Sequence, residues 1–344
     1  MEAEGGNIVR FTYTGAEGER IPNEATHITI SEDCTFVRAR AFRYHRNIVE
    51  LVCHNGVKRI KRHAFQNCLK LRRVIMPGVK IVEQHAFYLC RALWDVECGM
   101  LEVIKVGAFA SCNSLRSINL PFARIVGERV LCGCKALTEV QFGRNLERIE
   151  DGAFADCTSL ERITIPLKDG LFNEEDTFRG CESLEHVDLV GGEIHQTIAA
   201  LHFQEWRNDM KEEIDSINRI LPNTHPGYYI NRYDEDDGDM AEAIRTWISS
   251  VLDKINHYKA EHVRILDEDI ATTLQFVLPH DIAMNNVLSF LALPSHIFGV
   301  DGENHGFEIG DEEEEEDEDD EQEAQGVEQA IAYVRRHREE AEDY

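Results

Sequence analysis

The stretch "GAFADCTSLERITIP", residues 152–166, sets Phe154, Cys157, Leu160, Ile163, Ile165 and Pro166 in an order that recurs through half of the chain. Aligned on the aromatic, the copies fall at Phe42, Phe65, Phe87, Phe109, Leu131, Phe154 and Phe178, spaced 23, 22, 22, 22, 23 and 24 residues apart. Three residues on stand His45, Cys68, Cys90, Cys112, Cys134, Cys157 and Cys181; six on, Ile48 and then six leucines. Nine and eleven on are further apolar columns, from Leu51 to Val187 and from Cys53 to Leu189. Another column, five before the aromatic, runs from Val37 to Ile149 and breaks in the stretched last unit. Self-similarity at such a period marks a solenoid, and seven copies exceed the roughly three that a stack needs.

Each unit has a physical reading. Strand side chains alternate, so the residues nine and eleven after the aromatic face one way, into a core. Pro or Gly one place further (Pro77, Gly99, Pro121, Gly143, Pro166) ends the strand. The A-F-x-x-C segment then turns the chain and brings Phe and Cys inward together. A single rung cannot bury its apolar edge, whereas stacked rungs share a continuous core.

The cysteines follow from the stack. Equivalent positions repeat at about 4.8 Å, and free Cys behaves as a small, readily buried hydrophobe. Parallel thiols in one column do not suit the near-perpendicular dihedral of a disulfide. Zinc wants ligands converging tetrahedrally rather than in a line. Cys132, in Cys132-Gly-Cys134, is the thiol that falls outside the column.

The pattern L-x-x-V-x-L-P…I-x-x-x-A-F-x-x-C over residues 36–190 resembles the BspA-like leucine-rich repeat family. The match is seven units deep, and with its C-terminal segment the chain is most similar to the diatom-type branch. The resemblance implies an α/β fold: a leucine-rich-repeat solenoid of about seven 22–24-residue units with a helical C-terminal region. Val130-Leu131 in place of Ala-Phe, His45 in place of Cys, and the long seventh unit depart from the pattern.

Around the repeats, residues 1–35 read as a lead-in and cap, with Ile28 and Ile30 in the strand columns of a preceding half-rung. After Gly191-Gly192 the spacing becomes helical, and 191–222 reads as a capping helix over the last rung. Residues 223–239 read as a loop and 240–298 as a helical region, within which "LPHDIAMNNVLSFLALP" (278–294) resembles the opening of an F-box. That likeness implies a ubiquitin-ligase substrate receptor, against the plainer reading of an amphipathic helix. Residues 299–325 hold eleven consecutive acids (311–321) and read as a disordered tail; 326–344 can form a short terminal helix.

The net charge of −28 is uneven: residues 1–190 carry 25 Lys+Arg and 26 Asp+Glu, so nearly all of the excess lies beyond them. An acidic run of this density resembles the tails of histone-binding proteins, giving basic proteins as a second partner class. The same acidity argues against a nucleic-acid partner. No apolar run nears the ~18 residues of a membrane span, and no basic-then-apolar start is present, so a cytoplasmic or nuclear address is expected.

No phosphate-cradling loop, nucleophile elbow or dinucleotide fingerprint occurs. "HYKAEH" (257–262) sets its His residues five apart, on different helix faces, and "YDEDDGDMAEAI" (233–244) offers Tyr and Ile where a calcium loop needs acids. The sequence therefore points to a non-enzymatic protein with no cofactor and no metal. Its expected working surface is the outward strand face, seven, eight and ten after the aromatic: Arg72, Arg73, Trp94, Asp95, Glu97, Arg116, Glu161, Arg162, His186 and Asp188. Exposed Trp beside Arg is the composition of interface anchors.

Overall fold

The computed structural model describes residues 8–172, 175–191, 198–201, 203–224 and 240–273. The F-box-like stretch, the acidic run and the terminal segment lie outside them.

The repeats wind into a solenoid with three walls. Strands β1 (Arg10–Tyr13), β2 (His27–Ile30), β4 (Glu50–Val52), β6 (Arg73–Ile75) and β8 (Asp95–Glu97) form one parallel ladder. It resumes with β10 (Ser117–Leu120), β12 (Glu139–Phe142), β14 (Arg162–Ile165) and β15 (His186–Leu189) as a separate sheet. A second wall of two-residue strands is continuous: β3 (Phe36–Val37), β5 (Arg59–Ile60), β7 (Ile81–Val82), β9 (Val103–Ile104), β11 (Ile125–Val126) and β13 (Arg148–Ile149). Register follows the repeat, with Val74 on Val96 and Ile118 on Val140.

The third wall is the A-F-x-x-C segment, built of tight turns rather than a helical turn. Two residues before and two after the aromatic, the backbone is left-handed: Arg40, His63, His85 and Arg129 at the first place, Tyr44, Asn67, Leu89, Ser111 and Asp156 at the second. A non-glycine residue there carries strain of roughly 1–3 kcal/mol. The return is that each of these N–H groups points along the stack to a carbonyl of the next rung, as His63 to Gln84 (3.0 Å) and Asn67 to Tyr88 (2.7 Å).

Inside, the rings of Phe42, Phe65, Phe87 and Phe109 stack at 4.7, 5.3 and 5.2 Å with planes within 7°. Leu131 interrupts the stack, and Phe142 fills in edge-on against Phe154 at 6.2 Å and 72°. The cysteines three after the aromatic are buried and unbridged in the same core. They also do something the sequence reading did not anticipate. Each thiol of the column three after the aromatic donates to the carbonyl of the aromatic-column residue one rung earlier: Cys68 to Phe42 (3.1 Å), Cys90 to Phe65 (3.1 Å), Cys112 to Phe87 (3.3 Å), and on to Cys181 with Phe154 (3.2 Å). The same carbonyl accepts the N–H of its own rung's Cys, as Phe87 does from Cys90 at 3.1 Å. Two donors satisfy its two lone pairs.

His45 takes the Cys position in the first of the seven rungs. Its ring Nε2–H instead reaches the Pro22 carbonyl at 3.0 Å, tying the first rung to the lead-in. Ahead of β2, strand β1 extends the ladder unanticipated, and Tyr13 covers Phe42 with ring centroids 5.0 Å apart. In the long seventh unit the broken strand column is taken by Phe172, which bridges to Ile149.

Gly143 shows how tightly the rungs are set. A Cβ there would stand 1.9 Å from the Pro121 carbonyl oxygen, a backbone atom that cannot move without disturbing its rung. Gly143→Ala is expected to cost about 3 kcal/mol or more, at the upper end of overpacking penalties, read as a lowered urea midpoint. An unchanged midpoint would show that the turn relaxes freely.

At the far end, helix α1 (Gln204–Ile220) buries Met210 and Ile217. Asn218 on it accepts the N–H of Val187 at 2.9 Å, occupying a ladder group on the otherwise open edge strand β15. Helix α2 (Met240–Thr273) packs on α1. Trp247 Nε1–H donates to the Glu213 carbonyl (3.0 Å), and Trp206 stacks on Tyr258 at 4.9 Å.

Candidate functional site

The outward side chains of the strand wall divide into paired and unpaired groups. Arg73 reaches Asp95 with Nε at 2.9 Å and Glu97 with Nη2 at 2.5 Å, a three-way ion cluster across β6 and β8. Arg162 pairs with Asp188 between β14 and β15. Five of the ten expected site residues thus pair with each other at the surface, where such pairs contribute at most about 1 kcal/mol. They are better read as register marks between rungs than as a binding set.

The column seven after the aromatic is different. Trp94 is 53% exposed, so it does not pack between rungs. Arg72 lies one rung before it and Arg116 one rung after, both exposed. Among the described residues no carboxylate pairs with either guanidinium. His186 and Glu161 sit further along the wall, half-buried and exposed respectively, apart from this trio in the rung order.

Backbone geometry singles out the same place. The Arg72 carbonyl accepts the N–H groups of Trp94 (3.1 Å) and Asp95 (3.3 Å), and the Arg116 carbonyl accepts Thr138 N–H (2.8 Å). Between these, the ladder divides: β8 and β10 do not pair, and Cys98 and Asn119 are left with a long S···O approach of 3.9 Å. Val96 is accordingly only half-buried, while its column mates Val74 and Val140 are fully enclosed. Among the described residues, neither the Trp94 carbonyl nor the Arg116 N–H has a backbone partner. No spacing in the sequence announces this seam.

Elsewhere the chemistry is structural. Tyr258 O–H donates to Asp209 (2.5 Å), and Lys254 bridges Asp209 (3.0 Å) and Glu213 (2.8 Å), joining the two helices. Burial and the Asp209 carboxylate push the Tyr258 phenol up to about 12, while hydrogen bonds from Tyr258 and Lys254 hold Asp209 below its usual range. These shifts move the groups away from neutrality, the opposite of what acid–base catalysis wants. Cys132 is half-buried, with its thiol raised first by burial and then by Asp156. A reactive thiol would instead be lowered. Of the His residues weighed as ligands, His257 is exposed and His262 buried. Among the described residues no three His, Cys, Asp or Glu side chains gather as a metal site, and no helix is long and apolar enough to cross a membrane.

Parallel strands, one rung per repeat and an inward aromatic–cysteine column define a leucine-rich repeat solenoid. Residues 22–125 and 102–214 match the BspA type leucine-rich repeat region in six copies, and the chain belongs to that family. Among solved structures it is similar to a leucine-rich cell surface protein of Faecalibacterium prausnitzii A2-165, at 22% identity and TM-score 0.42 over 55% of this chain and 49% of that one. It is also similar to the T. pallidum leucine-rich repeat protein, at 23% identity and TM-score 0.43 over 53% of this chain and 85% of that one. The chain thus spans about half the length of the F. prausnitzii protein. No curated protein matches it. The fold is one commonly used as a non-enzymatic scaffold for protein interactions.

Proposed function

We propose that this chain is a protein-interaction scaffold that holds its partner on the outward strand wall, at Arg72, Trp94 and Arg116. The observation that carries the reading is an indole standing 53% exposed between two guanidiniums that, among the described residues, no carboxylate neutralises. Trp and Arg are the side chains that most often anchor interfaces. The rest of the wall then supplies fit rather than binding energy, since its ion pairs are already made.

Replacing Arg72, Trp94 and Arg116 together by Ala should leave the fold intact, because all three side chains point outward. Capture from a lysate followed by mass spectrometry should lose at least one protein that the parent chain retains. Identical capture by parent and variant, at matched circular dichroism, would place the working surface elsewhere.

A further inference from the structure

The corner where each rung turns from the cysteine into the strand carries a charge gradient along the solenoid. It comprises the third to seventh residues after the aromatic. In the first four rungs (45–49, 68–72, 90–94, 112–116) it holds Arg46, Lys70, Arg72, Arg91 and Arg116 and no acid. In the last three (134–138, 157–161, 181–185) it holds Lys135 against Glu161, Glu182 and Glu185. All of these charged side chains are exposed. Among the described residues Arg46, Arg72, Arg91 and Arg116 form no ion pair, and Lys70 contacts only the neutral Asn47 amide at 3.1 Å. Exposed apolar side chains sit among the cations: Leu69 at 47% and Trp94 at 53%.

From this we infer the partner's chemistry: an extended polypeptide segment with separated charges, carboxylates over the first four rungs, an apolar side chain on Trp94, and cations over the last three. The inference rests on the scaffold reading above and deepens it. Six steps of about 4.8 Å make the corner roughly 29 Å long, the reach of about nine extended residues. Nucleic acid fits less well. A phosphate backbone would meet Glu161, Glu182 and Glu185 along the last three rungs, and like charges set against each other exclude wrong partners.

The test uses the full chain and three synthetic peptides: a glutamate block, two leucines and a lysine block; the same residues with charges alternating; and leucines flanked by glutamate alone. Oligo(dT) is a fourth probe. At physiological salt the block peptide should bind about tenfold tighter than the alternating one. Glu161→Lys with Glu185→Lys, which leaves Glu182 as the corner's one acid, should shift preference to the all-glutamate peptide without changing the fold. Equal binding of block and alternating peptides, or tightest binding of oligo(dT) or all-glutamate peptide to the parent chain, would overturn the inference. The two proposals fail differently. If the Arg72/Trp94/Arg116 variant keeps its full capture, the face is misassigned; if it loses capture while the block peptide shows no preference, only the partner chemistry falls.

Discussion

Raising the pH from 9 toward 12 should unfold the repeats cooperatively. Eight thiols lie buried in the rungs: Cys53, Cys68, Cys90, Cys98, Cys112, Cys134, Cys157 and Cys181. Burial pushes all of them up from 9.0, those of Cys53, Cys68, Cys98 and Cys134 to about 12. The unfolded chain, with ordinary thiols, releases these protons first. Above pH 9 it therefore binds fewer protons than the folded chain, and stability must fall as pH rises. Below pH 9 the contribution is fully present. Each thiol shifts the balance by about 1.4 kcal/mol per pH unit once the unfolded form is ionised, so eight together approach roughly 10 kcal/mol per unit. That is comparable to the entire stability of an ordinary domain, about 5–15 kcal/mol. Far-UV circular dichroism should collapse within about a unit or two of pH 9. A double variant, Cys112→Ala with Cys134→Ala, should be less stable at pH 7 yet lose its stability less steeply above pH 9. Stability that stays level between pH 9 and 11 would mean the thiols are wet, contrary to the packing.

The second large effect is expected at the middle of the ring stack. Phe87 lies between Phe65 and Phe109 at 5.3 and 5.2 Å, its ring nearly parallel to both. It has no exposed surface. Phe87→Ala removes two ring contacts at once and leaves a void walled by two rungs whose backbones are hydrogen-bonded to their neighbours, so collapse into the gap is hindered. Costs of about 3–5 kcal/mol are typical of such deletions. Phe87→Leu should cost clearly less, because Leu131 already occupies this column in another rung and is fully buried there. Equilibrium unfolding in urea separates the two variants; equal midpoints would imply that filling the volume restores nothing and that the stacked ring itself carries the stability.

Both results follow from columns that are legible in the linear text. Phe, Cys, Leu and the two strand positions recur in fixed order, and a period of about one rung makes each a line through the core. The ion pairs were legible in hindsight as well: Arg73 and Asp95 lie one repeat apart in the same column, so opposite signs had to meet. What the text did not disclose has local causes. The division of the ladder between β8 and β10 leaves no mark in the spacing, since the units on either side have ordinary length. Strand β1 shares no repeat signature and is recruited only because the front rung offers an open edge. The left-handed backbone at Arg40, His63 and Tyr44 is hidden because glycine, its usual signal, is absent there. The exposure of Trp94 belongs to its column, whose members from Arg72 to Glu185 are all exposed.

The thiol-to-carbonyl bond also limits what can replace a cysteine in this column. Alanine fits the space but leaves the aromatic's carbonyl with a single donor. Valine fills the gap and is equally silent. Serine offers a donor, but its shorter arm and stronger affinity for water fit poorly against stacked rings. Of the small residues, only the one with a polarizable, weakly donating tip is at once oily enough to hide and able to speak to the layer beneath it. Drift at these places is confined by two demands that rarely coincide in one side chain.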